Sequence, residues 1–253
     1  MAIFSDQDHV PYVGPVRSTR HYYTDLALPY NPIYIHFGGS PAGYERIKKT
    51  GLSHIDGMTY DKAFYQDKKR AANKGREHSF FINTEGFQSV LGKAKIATDG
   101  ETSAPFSFLE KDTAPSVLDA GKVYVPFSGT ANSQFDYNPS SGLYEKQRNG
   151  EKHIDGDTGE VLTFKNVLIL YTDITSYNGE TYRRDVKLSS GDGYYVSNGG
   201  KTAIHWEKGA SKNQFTFSLS EGGKLSVNKG KTYICIVDNG AQNQTKFSNV
   251  TAE

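Results

Sequence analysis

The second half of the chain is a series of short apolar or alternating segments separated by glycine-rich turns, and this pattern constrains the fold more than any other feature. After Gly121 the segments are K-V-Y-V-P-F, V-L-T-F-K-N-V-L-I-L-Y, R-D-V-K-L, Y-Y-V-S, K-T-A-I-H-W, F-T-F-S-L and T-Y-I-C-I-V-D. The turns between them include S-G-D-G, S-N-G-G, E-G-G and D-N-G. Short runs rich in β-branched and aromatic residues, bounded by Gly and Asn, are typical of strands joined by tight turns. We therefore predict a mostly antiparallel β domain here, without helices.

The first half of the chain mixes helix and strand signals. The segment G-P-V-R-S-T-R-H-Y-Y-T-D-L-A-L indicates a turn followed by a short helix, with Ser18 or Thr19 as its N-cap and its end at Pro29. The apolar run that follows predicts a strand over Pro32–Phe37. This half is therefore expected to be a mixed α/β region.

A second helix is predicted directly after that strand. Ser40 is suited to the N-cap position. Pro41 is suited to the first helical position, because the N–H that it lacks has no partner there in any helix. The helix would run over Ala42–Lys49 and end at Gly51.

A third helix is predicted over Glu85–Lys95, with Thr84 as its N-cap and its apolar side chains on one face. Between residues 61 and 77 the chain is strongly basic. Such a run is usually a solvated surface. We expect this stretch to be exposed.

The change of pattern divides the chain in two. A chain of 253 residues can form one large or two small domains. The join is predicted in the stretch Thr98–Ala120, which is rich in Thr, Ser, Pro and Asp. We predict an α+β protein, with an N-terminal mixed α/β region over residues 1–110 and a C-terminal mostly antiparallel β domain over residues 111–253.

Composition excludes several classes of protein. The 29 basic and 28 acidic residues give a net charge of +1, whereas nucleic-acid-binding proteins usually carry a strong basic excess, so no nucleic-acid partner is expected. The single cysteine, Cys235, excludes an internal disulfide and any zinc cluster built on cysteines, and its setting in T-Y-I-C-I-V predicts a buried strand. No window approaches the roughly 20 apolar residues of a membrane span, and residues 1–9 lack the pattern of a signal peptide. The chain as written is expected to be soluble.

The segment I-Y-I-H-F-G-G-S-P-A-G, residues 33–43, leaves three roles open for Ser40. It nearly matches the G-x-S-x-G turn of α/β-hydrolases, in which the residue after the nucleophile donates its N–H to the oxyanion. Pro41 has no N–H, and loss of one such donor costs on the order of 3 kcal/mol of transition-state stabilisation, so a nucleophile is disfavoured. Gly38, Gly39 and Ser40 remain candidates for an anion cradle at a helix N-terminus, and the alternative is a simple helix cap.

Arg17 and Arg20 form a second candidate anion site. In G-P-V-R-S-T-R they accompany two hydroxyls at a predicted helix start, where the helix dipole also favours anions. Guanidinium groups bind carboxylates and phosphates through two parallel hydrogen bonds. The alternative is a surface turn whose arginines pair with Asp or Glu.

Two histidines are candidates for the same cleft. His36 lies on the predicted strand just before the glycines, although a strand histidine is more often a packed, hydrogen-bonded residue than a catalyst. His78 lies in R-E-H-S-F-F. Residues 153–159, H-I-D-G-D-T-G, have some likeness to a calcium loop but lack its remaining acidic ligands, and they also suit a hairpin turn. No metal site and no cofactor are predicted.

Several motifs together resemble those of the YerB-like family of bacterial lipoproteins, best known from Gram-positive species. In order, they are G-P-V-R-S-T-R, I-H-F-G-G-S-P, H-I-D-G-M, N-G-E-K-H-I-D-x-D-T-G, K-N-V, G-D-G-Y-Y-V-S-N-G and K-T-Y-I, and they extend from about residue 14 to residue 238. The resemblance implies an N-terminal α/β region, a C-terminal mostly β domain and an extracytoplasmic location at the membrane through a lipid anchor. It implies no specific activity.

The chain departs from the family pattern in two places. Family members usually begin with a secretion signal and a lipobox cysteine, followed by a segment with further strand and helix. Here Met1 stands shortly before G-P-V-R-S, so the chain is expected to be either a trimmed form or a variant with a different start. Where the family tends to carry an Arg after an aromatic pair and then Pro-His-Asn, this chain has Gln66 and, at residues 77–79, Glu-His-Ser.

The sequence therefore predicts a non-enzymatic extracytoplasmic protein of the cell envelope that binds an anionic ligand or an envelope protein. The predicted ligand-binding residues are Arg17, Arg20, His36, Gly38, Gly39, Ser40 and His78. No catalytic residue is assigned. Contact with the membrane is expected only through a lipid anchor that the given chain lacks.

Two other functions stay open. One is a hydrolase acting on a cell-wall or phosphoryl substrate, with His36 or His78 as general base beside a carboxylate such as Asp56 or Asp67. The other is a protein–protein interaction module, in which the tyrosine-rich β domain presents an exposed edge or aromatic patch.

Overall fold

The computed structural model describes residues 1–4, 12–94, 96, 105–116, 119–180, 182–210 and 212–250. The chain divides into two compact units. Unit 1 comprises Met1–Ser103 and Ala210–Asn213, and unit 2 comprises Ala104–Gly209 and Gln214–Glu253. Unit 1 mixes helices with short strands, and unit 2 is mostly antiparallel sheet, so the predicted α+β class is confirmed.

Unit 1 is built from short elements around a small apolar core. Its elements are α1 (His21–Ala27), β1 (Tyr34–His36), α2 (Pro41–Thr50), β2 (His54–Asp56), β3 (Tyr65–Gln66), α3 (Lys68–Lys74), β4 (Phe80–Phe81) and α4 (Thr84–Ala94). Strands β1 and β2 pair in parallel, with Ile35 opposite Ile55, and β3 pairs antiparallel with β4. The core includes Ile55, Ile82 and Phe87, all buried. None of the helices in the described ranges is long and apolar enough to span a membrane.

Helix α2 agrees with its prediction because its end signals are local. The Ser40 hydroxyl oxygen accepts a hydrogen bond from the Gly43 N–H at 3.1 Å, and Pro41 occupies the first position. Gly51 ends the helix at φ +67°, a conformation that favours glycine. The predicted cap and end of this helix are confirmed.

Two other predicted caps were wrong. Helix α4 begins at Thr84, and its cap is Asn83, whose side-chain oxygen accepts from the Gly86 N–H at 2.9 Å. The predicted last residue of this helix, Lys95, lies outside the described residues. Helix α1 begins only at His21, after an extended Arg20 that makes no side-chain cap.

The reason that Ser18 and Thr19 do not cap α1 is tertiary. The Ser18 hydroxyl donates to the Phe37 carbonyl oxygen at 3.1 Å, and the buried Thr19 forms a parallel bridge with Gly39. The extended segment before α1 therefore lies along the end of β1. Pairing with that strand satisfies these residues better than starting a helix would.

Unit 2 contains two large sheets. Its strands are β5 (Ser107–Phe108), β6 (Lys122–Ser128), β7 (Ala131–Asn138), β8 (Leu143–Arg148), β9 (Glu151–Lys152), β10 (Thr163–Phe164), β11 (Asn166–Thr172), β12 (Ile174–Ser176), β13 (Arg184–Val186), β14 (Ser190–Ser197), β15 (Gly200–Lys208), β16 (Phe215–Leu219), β17 (Ser226–Val227), β18 (Thr232–Asp238) and β19 (Lys246–Ser248). One sheet has the order β10-β8-β7-β6-β19, with β9 on β8, and the other has the order β16-β15-β14-β11-β18. Within the second sheet, β11 and β18 pair in parallel.

The core of unit 2 lies between these sheets. It joins Phe135 and Tyr144 of the first sheet to Ile169 and Val237 of the second, all fully buried. Strand β11 is buried along its whole length, as its unbroken apolar run indicates. Cys235 is buried in β18, as predicted, and burial raises the pKa of its thiol to about 12, so it stays protonated.

Candidate functional site

The glycine-serine turn after β1 is held by contacts within unit 1. The Gly38 N–H donates to the Asp56 carboxylate at 2.9 Å, and the Ser40 N–H donates to the Thr19 carbonyl at 3.1 Å. A Cβ on Gly39 would stand 2.5 Å from the Thr19 methyl group, so this glycine permits the close approach of the segment before α1. The structure thus assigns Ser40 to the helix cap, and these two N–H groups point to protein acceptors.

His36 lies buried behind this turn and has protein partners at both ring nitrogens. Its Nδ1 is 2.9 Å from the Gly38 carbonyl oxygen, and its Nε2 is 2.9 Å from His54 Nδ1. A carbonyl only accepts, so the proton of a neutral His36 is on Nδ1. His54 Nδ1–H therefore donates to His36 Nε2, and the lone pair of His54 is on its Nε2. Burial lowers the pKa of both rings, which favours these neutral forms.

Asp56 is the centre of the same cluster. Its Oδ1 accepts from the backbone N–H groups of Gly38 and Met58, and its Oδ2 accepts from the Tyr44 hydroxyl at 2.7 Å. Burial raises the pKa of this carboxyl group, but the hydrogen bonds from the Met58 and Gly38 N–H groups and the Tyr44 hydroxyl more than offset that effect, and the pKa lies below its usual value. Asp56 Oδ1 is 3.7 Å from His36 Nδ1. The cluster therefore holds an ionised carboxylate beside a pair of neutral histidines.

A cavity of about 370 Å³ opens beside this cluster. His54 and Asp56 line it together with the polar residues Ser53, Thr59 and Tyr60. We did not predict a role for His54 from the sequence. The signal was present in Y-I-H and H-I-D, where polar residues alternate with isoleucine on two strands and so face one side.

Arg17 and His78 are in direct contact at the surface of unit 1. The Arg17 guanidinium donates a hydrogen bond to Nδ1 of the His78 ring, and the same guanidinium nitrogen is 3.3 Å from Nε2. Arg70 Nε donates to the His78 carbonyl oxygen at 2.7 Å. The Glu77 carboxylate is 3.8 Å from Arg17. Two guanidinium groups thus converge on a histidine whose side chain is 37% exposed.

These residues belong to a larger basic surface. We define the basic surface of unit 1 as Arg17, Lys68, Lys69, Arg70, Lys74, Arg76 and His78. Helix α3, which supplies four of them, has no buried residue, so the predicted exposure is confirmed for this helix. It was wrong for Ala63, earlier in the same stretch, which is buried in the core of unit 1. The carboxylate of Asp67 is engaged as the cap of α3, through the Arg70 N–H at 2.8 Å.

Arg20 has other partners than the Arg17–His78 pair. Its guanidinium donates to the Thr19 carbonyl oxygen at 2.8 Å. It also acts on Tyr34, whose pKa burial raises to about 12 and Arg20 partly lowers again. Arg17 therefore contacts His78, whereas Arg20 lies near Tyr34, whose ring stacks on that of His36 with 5.4 Å between centroids.

The aspartates after His153 form a turn. Asp155 Oδ1 accepts from the N–H groups of Asp157 and Thr158, at 3.0 and 2.9 Å. Asp155 Oδ1 therefore stabilises the turn, as the sequence D-G-D-T-G suggests. In the part of the chain that the structure describes, no three His, Cys, Asp or Glu side chains are grouped to hold a metal ion.

Comparisons with known proteins agree with the fold. Residues 1–97 match the N-terminal domain, and residues 123–234 the C-terminal domain, of the family described as "Protein of unknown function (DUF3048)". The chain is 26% identical over 245 residues to "Putative lipoprotein YerB" of Bacillus subtilis (strain 168), covering 94% of this chain and 70% of that protein. The crystal structure of YerB from Bacillus subtilis superimposes with a TM-score of 0.79 at 21% identity, covering 95% of this chain and 79% of that chain.

The two family matches lie in the order that the sequence motifs follow, and together they extend over both halves of the chain. The resemblance to YerB-like proteins is confirmed, and the chain belongs to the DUF3048 family.

Proposed function

We propose that this chain is an extracytoplasmic cell-envelope protein that binds an anionic ligand through the basic surface of unit 1. The location is carried over from the lipoprotein name of the Bacillus subtilis relative. The observation that carries the binding proposal is the convergence of Arg17 and Arg70 on His78.

Both guanidinium groups are thus held by one residue, Arg17 at the His78 ring and Arg70 at the His78 backbone carbonyl. The Glu77 carboxylate is 3.8 Å from the Arg17 guanidinium, but its side chain is 72% exposed, so water screens this ion pair. A phosphate or carboxylate that contacts both arginines would supply them with further charged acceptors. Arginine is suited to this role because its planar guanidinium group can form two parallel hydrogen bonds with two oxygens of a phosphate or carboxylate.

The surrounding lysines extend the basic surface beyond one ion. Lys68, Lys69 and Lys74 lie on α3, which at about 1.5 Å per residue is roughly 10 Å long. A polymer with repeated anionic groups can contact the arginines and these lysines together. We therefore propose a polyanion of the cell envelope as the ligand.

We expect the double variant Arg17→Gln/Arg70→Gln to bind a labelled poly(glycerol phosphate) chain about tenfold more weakly than the wild type at low salt, because two charge-assisted contacts are lost. Fluorescence anisotropy would measure the binding. The matched control is Arg183→Gln/Arg184→Gln in unit 2, where Arg183 pairs with Glu180 at 3.0 Å. Equal binding by the wild type and the first variant would overturn the proposal.

A hydrolase is the second candidate function, and the cavity beside His54 favours it. His36 has hydrogen-bond partners at both ring nitrogens. His54 donates from Nδ1, so its Nε2 carries an unshared lone pair, and His54 lines the cavity. A neutral imidazole held this way is suited to act as a general base. Asp56 polarises His36 from 3.7 Å and so supports the pair.

This candidate predicts that the wild type cleaves a cell-wall or phosphoryl substrate and that His54→Gln does not. Mass spectrometry of muropeptides and of glycerophosphodiesters after incubation would detect the products. The glutamine keeps hydrogen-bonding capacity and removes the base. Cleavage by neither protein, or by both equally, would rule out this role for His54.

A further inference from the structure

Unit 2 contains a cleft of about 370 Å³ whose walls are strongly basic. Three lysines line it, Lys165, Lys229 and Lys231, and the other polar side chains are those of Thr163 and Asp112. The cleft lies where β10 leads into β11 and where the loop before β18 passes beside it.

Lys165 forms the inner wall of this cleft. The residue is only 8% exposed, although it carries a charge at the end of a long chain. Its Nζ is 2.6 Å from the Asp112 carboxylate and 3.4 Å from the Gly142 carbonyl oxygen. A Cβ on Gly230 would stand 2.6 Å from Lys165 Cβ, so the loop between the two other lysines lies directly on the Lys165 stem.

Buried polar contacts fix the loop that carries Lys229 and Lys231. Asn228 is fully buried, and its side-chain nitrogen donates to the Thr113 carbonyl and to the Ser197 hydroxyl, both at 2.8 Å. The Thr113 N–H donates back to the Asn228 side-chain oxygen at 2.9 Å, which holds the neighbouring Asp112 segment. A satisfied network of this kind makes a region rigid. The backbone that carries the two lysines is therefore held beside the cleft.

The Lys165 backbone is part of the same construction. Its N–H donates to the Lys231 carbonyl at 2.9 Å, and its carbonyl accepts from the Ser197 hydroxyl at 3.0 Å. Hydrogen bonds thus link the backbones of the two walls of the cleft. A backbone held in place keeps the attachment points of the three lysines close to one another, which lowers the cost of ordering their side chains around an anion.

We propose that this cleft binds a phosphate-bearing small molecule or end group. Three ammonium groups and one carboxylate leave a charge of about +2, which matches the roughly −2 charge of a phosphate monoester. Lysine binds phosphate as a point charge, and the Thr163 hydroxyl can donate to a further oxygen. Asp112 competes with the ligand for Lys165 and is 59% exposed, so it can turn away when phosphate enters. The proposal does not rest on the basic surface of unit 1.

Calorimetric titration of the full chain with inorganic phosphate, glycerol 1-phosphate and glycerol tests this proposal. We expect saturable binding of both phosphates and none of glycerol. Lys165→Met, which keeps the apolar stem, should weaken binding about tenfold, and Asp112→Asn should strengthen it severalfold because the competing carboxylate is gone. The control Lys187→Met removes a lysine of unit 2 that pairs with Asp173 at 3.5 Å, and it should bind like the wild type.

Lys165→Met could weaken binding through a folding defect, because Lys165 is buried. The double variant Lys229→Gln/Lys231→Gln changes only exposed positions, and it should also bind more weakly. Tighter binding of glycerol 1-phosphate than of inorganic phosphate would support a phosphorylated polyol as the ligand, and equal binding would support free phosphate. The proposal is overturned if the wild type shows no saturable binding. It is also overturned if the Lys165 and Lys229/Lys231 variants both bind like the control.

Discussion

Replacement of Gly193 by alanine is expected to destabilise unit 2 by about 3 kcal/mol, because the new Cβ collides with backbone. Gly193 lies in β14 between β11 and β15. An added Cβ would stand 2.0 Å from the Ile169 carbonyl oxygen, well inside contact distance. Strand β11 is buried along its length, so neither strand can move aside without disturbing the core.

Urea unfolding followed by tryptophan fluorescence measures this effect directly. Trp206 is the only tryptophan in the sequence and is fully buried in unit 2. Gly129→Ala is the matched control, since nothing lies within 4 Å of the Cβ it would add. It should change the free energy of unfolding by no more than about 0.5 kcal/mol. Equal midpoints for the two variants would contradict the packing described for β14.

Replacement of Asp56 by alanine is expected to destabilise unit 1 by about 3 kcal/mol, because buried donors lose a charged acceptor. The donors are the N–H groups of Gly38 and Met58 and the Tyr44 hydroxyl. Hydrogen-exchange mass spectrometry of the α2 amides would report the loss as faster exchange. Asp67→Ala, which removes only the cap of the exposed α3, should cost about 1 kcal/mol and leave α2 unchanged. Equal exchange of α2 in both variants would contradict the role given to Asp56.

The same cluster sets the response of unit 1 to acid. The pKa values of His36 and His54 are lowered by burial, so the unfolded chain binds more protons and stability falls as pH drops below about 6.5. The lowered pKa of Asp56 causes a second loss of stability, which is absent above about pH 4 and grows as the pH falls below it. In Asp56→Ala the loss of stability below about pH 4 should disappear, and the loss below about pH 6.5 that comes from the two histidines should remain. Exchange rates of α2 measured across this pH range would separate the two.

Features of the fold that depend on residues close together in the sequence could be predicted from the sequence. Helix α2 has a cap, a first-position proline and a final glycine that act within one or two turns, and all three occur where predicted. Ser18 and Thr19 carry the same kind of signal, but their partners lie near the end of β1, about 20 residues away. Local propensity gave no means of choosing between a cap and this pairing.

The candidate site shows the same limit. Residue type was enough to select Arg17 and His78, and the structure brings them into contact. The partnership of His36 with His54 depends on the parallel register of β1 and β2, which a single sequence does not specify. Arg70 reaches His78 only because the chain between them folds back. Arg20 has the same chemistry as Arg17 but contacts Thr19 instead.

Nuclear magnetic resonance of the arginine side chains tests the central claim, that anions bind where Arg17 and Arg70 converge, most directly. On titration of the full chain with poly(glycerol phosphate), the Nε–H resonances of Arg17 and Arg70 should shift in a saturable way, because their guanidinium groups gain charged acceptors. The resonance of Arg183, which is paired with Glu180, should stay in place. Shifts of equal size at all three arginines, or no shift at Arg17 and Arg70, would contradict the claim.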